Sequence, residues 1–271
     1  MAKESWQPSR KRERTFLDDL FAIYDRMVGK SPTKARLLTI PEWLEKYAWA
    51  IARRMVTGTM VENARTWRAA ACESMRGEDI YEALQDEMRG PIGIRVRELI
   101  AENAKLIRSL PQDVASQVAS MIATKAQEGK RVESFEDLVP HVFRWKMRLI
   151  ARTETSKAST ALTQARSESL GIWYFEWFTS EDERVRASHR NMQGVICRWD
   201  DLPSPEKLIG EKSTLGRYAP GNCPNCRCGP KPLMRYNQVE WPHKVYSHNR
   251  IQFVTLAAFR RRAQIEEPLA A

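Results

Sequence analysis

The stretch SLGIWYFEWFTS, Ser169–Ser180, contains the change of pattern that decides the fold. Before it, apolar residues recur with helical spacing, and Gly171 is well placed to end that helix because glycine adopts the left-handed conformation at low cost. After it comes an aromatic and β-branched run of strand length. The sequence therefore predicts an α+β protein, with a helical N-terminal half followed by a small unit containing a short β-sheet.

On the N-terminal side the periodicity predicts several separate helices. The first lies within residues 13–32 and stops at Gly29 and Pro32, and the second lies within 41–58 and ends at Gly58. Further helical patterns cover 60–77 and 78–91, and two more fill 94–130, separated by Pro111. Ser134 then predicts the capped start of a long helix that runs to Gly171.

On the C-terminal side, VICRW (195–199) predicts a second strand, with a turn or short helix before it. Residues 200–230 are rich in Pro, Gly and Ser and predict mostly loop. Ser247 is expected to cap a helix carrying Ile251, Val254, Ala258 and the basic run Arg260–Arg262. We divide the chain into a helical domain (1–145), an α+β domain (146–245) and a C-terminal helix and tail (246–271).

Composition indicates a globular chain with a basic surface. The 271 residues carry a net charge of +10, and the excess is spread over both halves of the chain. This charge favours contact with nucleic acid or an acidic protein surface, the alternative being a solvated basic surface. No apolar run reaches the roughly 18 residues of a membrane span, and no signal peptide is recognised. We therefore expect a cytoplasmic origin, where thiols normally stay reduced.

The stretch PGNCPNCRCGP, Pro220–Pro230, holds three of the five cysteines. Cys223 and Cys226 have the C-x2-C spacing of a metal-binding turn, and Cys228 offers a third ligand. Zinc needs a fourth, for which His189 or Cys197 is available from the preceding segment. The sequence predicts a structural zinc site, while a reduced turn without metal and a redox or disulfide pair remain alternatives.

The segment Ser180–Gly194 concentrates further charged residues before the second strand. On a helix, Asp182 and Arg186 would form an i,i+4 ion pair and His189 would share their face. His189 is then a metal ligand or a general base oriented by Asp182, whereas the simpler interpretation is a surface pair that fixes a turn.

A third segment, Ala151–Arg166, places Arg152 and Glu154 beside a run of Thr and Ser. This pairing is similar to elements of ADP-ribosyltransferases, although their spacing and glycine-rich loop are missing. The simpler interpretation is a helix whose hydroxyl side chains meet polar neighbours or solvent.

Taken in order, these motifs resemble the phage Mu protein F-like family, the minor head or head morphogenesis proteins of tailed phages. The resemblance covers residues 145–232 through ARTET, the aromatic strand after Gly171, DERVRASH, Gln193–Gly194 and CRC. Cys223 and Cys197 are additions to that pattern. The positions that match it are Arg152, Glu154, Asp182, Arg184, Arg186, His189, Gly194, Cys226, Arg227 and Cys228.

The resemblance implies a non-enzymatic, low-copy protein of the virion. It is added during procapsid assembly in the host cytoplasm and lies in the capsid interior near the portal. Implied partners are the portal protein, scaffold or major capsid protein, and packaged double-stranded DNA bound without sequence preference, with no membrane. Assistance to capsid assembly, DNA packaging or ejection follows from the same resemblance. Two alternatives stay open: an enzyme, either a zinc-dependent nuclease or an ADP-ribosyltransferase-like protein, and a basic DNA-binding protein.

Overall fold

Helices dominate the part of the chain before Gly171 in the computed structural model, which describes residues 6–29, 32–72, 87–131 and 133–266. Helix α1 is Arg10–Val28, α2 is Lys34–Leu38, α3 is Glu42–Cys72, α4 is Pro91–Gln127 and α5 is Phe135–Ser169. Most of the helix predicted over 78–91, residues 78–86, lies outside the described residues. None of the described helices is both long and apolar enough to cross a membrane.

Helix α5 is the central element, since α1, α3 and α4 all pack against it. Its apolar face buries Phe143 and Met147 completely, and the Phe143 ring lies 4.8 Å from that of Tyr24 on α1. Ile107 of α4 is likewise fully buried in this core. Each such side chain contributes about 1.5–3 kcal/mol of burial free energy, which holds the long helices together.

Two predicted helix boundaries are wrong, because packing overrides the local breaker. Helix α3 continues through Gly58, where a Cβ atom would clash with the guanidinium of Arg12. That guanidinium forms an ion pair with Glu62 at 3.1 Å, so the glycine makes room for a contact between α1 and α3. Helix α4 continues through Pro111, which is buried beside Leu110 in the core. Burial there offsets the missing backbone hydrogen bond.

Both predicted ends of α5 are confirmed. The Ser134 hydroxyl accepts a hydrogen bond from the backbone N–H of Asp137 at 3.1 Å, as an N-cap does. At the other end Gly171 has φ +65°, and the N–H of Ile172 donates to the Ser167 carbonyl at 2.8 Å. This bond pattern closes the helix and turns the chain directly into the first strand.

The C-terminal part forms a five-stranded mixed sheet, which confirms the α+β prediction. Neighbouring strands pair antiparallel except β2 and β4, which are parallel. Short helices α6 (Ala187–Asn191) and α7 (Pro205–Leu208) and a 3₁₀ turn (Tyr236–Gln238) connect the strands, and α8 (Leu256–Glu266) follows them. The order is β3-β1-β2-β4-β5, with β1 Tyr174–Phe178, β2 Val195–Arg198, β3 Gly229–Pro232, β4 His243–Ser247 and β5 Arg250–Val254.

The two faces of the sheet bury different sets of side chains. Phe175, Trp177 and Cys197 point to the face covered by the cysteine-rich loop, Pro220–Cys228. Tyr174 and Ile196 point to the opposite face, where they pack against Phe259 of α8. This alternation follows from the period of two along a strand, and it places the loop next to the aromatic residues of β1.

The predicted C-terminal helix begins later than expected, and Ser247 is not its cap. Residues 250–254 form β5, which pairs with β4 in a hairpin whose turn residues His248 and Asn249 have φ values of 48° and 64°. Two consecutive positive φ angles define a type I′ turn, which usually carries Asn-Gly or Gly. Because no glycine marks this turn, the hairpin has no recognisable signal in the sequence.

The proposed division at residues 145 and 146 falls inside α5, which is continuous across it. The three-domain division stays a prediction.

Candidate metal centre

The cysteine-rich loop, Pro220–Cys228, is seated on the polar face of α5. The Thr160 hydroxyl donates to the Pro220 carbonyl at 2.7 Å, and the Asn225 N–H donates to the Thr153 hydroxyl at 3.1 Å. Both threonines are buried, as are their neighbours Ser156 and Ser159. The run of hydroxyl residues predicted to meet polar neighbours does so, and it forms the platform for the loop.

A second set of contacts joins this loop to the segment before α6. Arg227 forms an ion pair with Asp182, with its Nη2 2.7 Å from Oδ1. Arg186 donates to the Pro224 carbonyl at 2.8 Å and also to the Cys223 sulfur. The cysteine-rich loop and the segment before α6 are therefore joined by two arginines, with Arg227 reaching out from the loop and Arg186 reaching towards it.

Three side chains that can bind a metal converge where these segments meet. His189 Nδ1 lies 3.3 Å from the sulfur of Cys228 and 3.4 Å from that of Cys226. All three ligand atoms lie within 4.8 Å of one another, and the residues are only 2–4% exposed. A tetrahedral zinc ion with Zn–N of about 2.1 Å and Zn–S of about 2.3 Å separates such ligand atoms by roughly 3.5 Å. The donor set and its spacing therefore fit zinc.

A hydrogen-bond chain that begins at Nε2, the second ring nitrogen of His189, fixes the orientation of this side chain. Nε2 lies 2.9 Å from the Tyr218 hydroxyl, which donates to the Glu206 carboxylate at 2.7 Å. With a proton on Nε2, the chain His189–Tyr218–Glu206 leaves Nδ1 free to bind a metal, as outer hydrogen bonds do in many metal sites. Sequence reasoning missed Tyr218 and Glu206, because they lie in the region 200–230 that the sequence predicts as mostly loop, where no periodicity or motif spacing marks a buried residue.

Proximity shifts the pKa values of these groups in the metal-free protein. Burial lowers the pKa of His189, but the thiols of Cys223 and Cys226 outweigh it and raise this pKa to about 9. A hydrogen bond with Cys228 lowers the pKa of Cys226 to about 4 against the effect of burial, with help from His189. The same Cys226 contact and burial raise the pKa of Cys228. The cluster thus favours an imidazolium beside one thiolate.

The two other candidate ligands lie outside this group of three within the described residues. The Cys223 sulfur accepts a hydrogen bond from Arg186, and Cys197 is fully buried on β2, where burial raises the pKa of its thiol. The structure thus brings His189, Cys226 and Cys228 together, and the identity of a fourth ligand stays a prediction.

The predicted ion pair between Asp182 and Arg186 does not form, because helix α6 begins only at Ala187. Asp182 instead binds Arg227 and, at 3.6 Å, Arg184, so it does not orient His189. Gly194 has φ +74° and lies in the turn directly before β2, where its N–H donates to the Trp177 carbonyl at 2.9 Å.

Arg152 and Glu154 have separate partners. Arg152 pairs with Glu13 of α1 at 3.2 Å, and Glu154 pairs with Lys157 at 2.8 Å on the same helix. The first pair ties α5 to α1 and the second is local to α5.

The fold and site together define a class: an α+β protein whose sheet carries a cysteine–histidine cluster on a long helical support. Residues 110–230 match the family described as "Phage Mu protein F like protein", which confirms the predicted resemblance and extends it towards the N-terminus. Over this segment, a little under half of its length, the chain is similar to that phage family.

A curated relative, an uncharacterized protein of Haemophilus influenzae, is 31% identical to this chain over 148 residues. The match covers 53% of this chain and 30% of the relative, so the chain spans less than a third of that protein's length. No solved structure gave a significant match.

Proposed function

We propose that this protein is a structural, non-enzymatic minor head protein of a tailed phage. It enters the head during assembly, lies in the capsid interior near the portal and assists assembly, DNA packaging or ejection. The family match over residues 110–230 is the observation that carries this proposal. The helical part is the surface offered to portal, scaffold or major capsid protein, and the net charge of +10 suits a position beside packaged DNA.

The second part of the proposal is that a zinc ion held by His189, Cys226 and Cys228 stabilises the α+β part. Zinc would supply a cross-link between α6 and the cysteine-rich loop, in a region with short strands and many loops. The burial of all three side chains and the fixed orientation of His189 support a structural role.

Metal analysis tests the zinc site directly. Protein purified in the presence of zinc is expected to contain roughly one ion per chain. Cys226→Ser should lose the ion and melt at a lower temperature. Wild-type protein that binds less than about a tenth of an equivalent would refute the zinc site, and an unchanged melting curve of Cys226→Ser would refute its structural role.

A genetic experiment tests the head role independently of metal. Deleting the gene from its phage should reduce infectious, DNA-filled particles, and wild-type protein supplied in trans should restore them. Mass spectrometry of purified heads should detect the chain in low copy. Normal heads that lack the protein, or turnover of DNA, RNA or NAD by the purified chain, would contradict the proposal.

A further inference from the structure

A cavity of about 400 Å³ opens beside the cysteine-rich loop. It lies between the first half of α5, the turn before α6 and the loop itself, and His189, Cys226 and Cys228 form part of its wall. This volume falls within the range of about 300–1,000 Å³ that is typical of small-molecule sites.

The lining of this cavity has charge of one sign. Arg148, Arg152, Arg184, Arg186 and Arg227 all contribute to it, and none of the lining residues within the described ranges is acidic. Asp182 and Glu13 are not among the lining residues and pair with three of these five arginines, so they offset only part of the positive charge. A concave site with this excess of positive charge attracts anions.

Several guanidinium donors in the cavity remain available. Arg148 is exposed and takes part in no ion pair within the described part of the chain. Arg152 uses only Nε towards Glu13, and the guanidinium of Arg184 approaches Asp182 only to 3.6 Å. Guanidinium groups bind phosphate through paired N–H donors, so convergent free donors suit a phosphate group better than a monovalent inorganic anion.

The mouth of the cavity also carries an aromatic surface. Trp145 lines it, and this indole is 54% exposed. An indole next to guanidinium groups provides a stacking surface for a base whose phosphate the arginines hold.

From this arrangement we infer that the arginine-lined cavity binds the phosphate of a nucleotide unit, with its base stacked on Trp145. The unit is supplied either as a free nucleotide or as part of a DNA strand. Arg148 and Arg184 are the principal phosphate donors, because their guanidinium groups are the least engaged by protein partners.

Calorimetric titration of the purified full chain with AMP, inorganic phosphate and a short oligothymidylate tests this inference. Arg148→Gln and Arg184→Gln should each weaken binding by about tenfold or more, as expected for loss of a charge-assisted hydrogen bond. Arg53→Gln, an equal change of charge at an exposed position of α3 outside the cavity, is the matched control. Both cavity residues are exposed, so melting curves should show that the variants fold.

Selective weakening of AMP binding in the cavity variants identifies a free nucleotide, and selective weakening of oligothymidylate alone identifies a strand. Trp145→Ala should weaken binding of AMP or oligothymidylate by about fivefold or more and leave inorganic phosphate unaffected. Absence of binding of all three probes, or an equal loss in Arg53→Gln, would overturn the inference. Unchanged nucleotide affinity in Trp145→Ala would overturn the stacking assignment.

Discussion

Gly221→Ala should destabilise the protein by two separable effects. Gly221 has φ +90°, a conformation that costs an L-residue about 1–2 kcal/mol. An added Cβ atom would also lie 2.8 Å from the Thr160 hydroxyl oxygen and 2.9 Å from that of Ser156. Both hydroxyls belong to the rigid, buried face of α5, and overpacking of this kind costs about 1–3 kcal/mol. The expected total is about 2–5 kcal/mol.

Gly210→Ala provides a matched control, since Gly210 has φ +79° and no neighbouring atom within 4 Å of the place that an added Cβ would occupy. It should cost only the backbone contribution of about 1–2 kcal/mol. Urea denaturation followed by tryptophan fluorescence gives both free energies of unfolding, and their difference isolates the contact with α5. If Gly221→Ala proves no more destabilising than Gly210→Ala, the seating of the cysteine-rich loop on α5 is refuted.

Glu87→Gln should lower the free energy of unfolding by about 3–5 kcal/mol, because it leaves the buried guanidinium of Arg166 without its ionic partner at 2.8 Å. Glu98→Gln, the control in an exposed pair with Arg95, should lower it by less than about 1 kcal/mol. Similar urea midpoints for the two variants would contradict this difference. In the metal-free protein, stability should fall between about pH 6.5 and pH 4. The pKa of Cys226 falls from about 8.5 in the unfolded chain to about 4, so its contribution to stability is complete above pH 8.5 and is lost as the pH falls towards 4. The pKa of His189 rises from about 6.5 to about 9, so its contribution is complete below pH 6.5 and is lost as the pH rises towards 9. Between about pH 6.5 and pH 8.5 the two effects therefore largely cancel. Urea midpoints at pH 7 and pH 5 measure the fall, and an undiminished fall in Cys226→Ser would assign it to other groups.

Local sequence signals predicted helix ends correctly where the capping residue acts on its own helix terminus. Ser134 and Gly171 mark the ends of α5 because each satisfies backbone groups at its own helix terminus. The helix ends predicted at Gly58 and Pro111 are wrong, because the effect of each residue depends on contacts distant in sequence. For Gly58 the contact is Arg12, and for Pro111 it is the apolar core. A breaker residue alone does not show whether tertiary contacts override it.

The sequence predicted the candidate metal-binding residues of the site but not the residues that orient them, because the latter depend on contacts distant in sequence. His189, Cys226 and Cys228 stand out in the sequence as metal-binding residue types, and they do converge. Cys223, which forms the predicted C-x2-C pair with Cys226, lies outside this group of three among the described residues. Tyr218 orients the histidine from an irregular segment, with Glu206 of the four-residue helix α7 behind it, and their importance depends on a fold that places them beside it. Ligand types can be read from sequence, whereas the hydrogen bonds that aim them depend on the folded arrangement.

The continuity of α5 has a mechanical consequence. Its 35 residues span about 52 Å, and one rigid rod contacts α1, α3 and α4 before it supports the cysteine-rich loop. Its proline, Pro140, lies near the N-terminal end and leaves the stretch from Trp145 to Ser169 without an internal hinge. A partner that tilts the helical part would therefore act on α5 as on a lever, and the loop would move with the end of the rod.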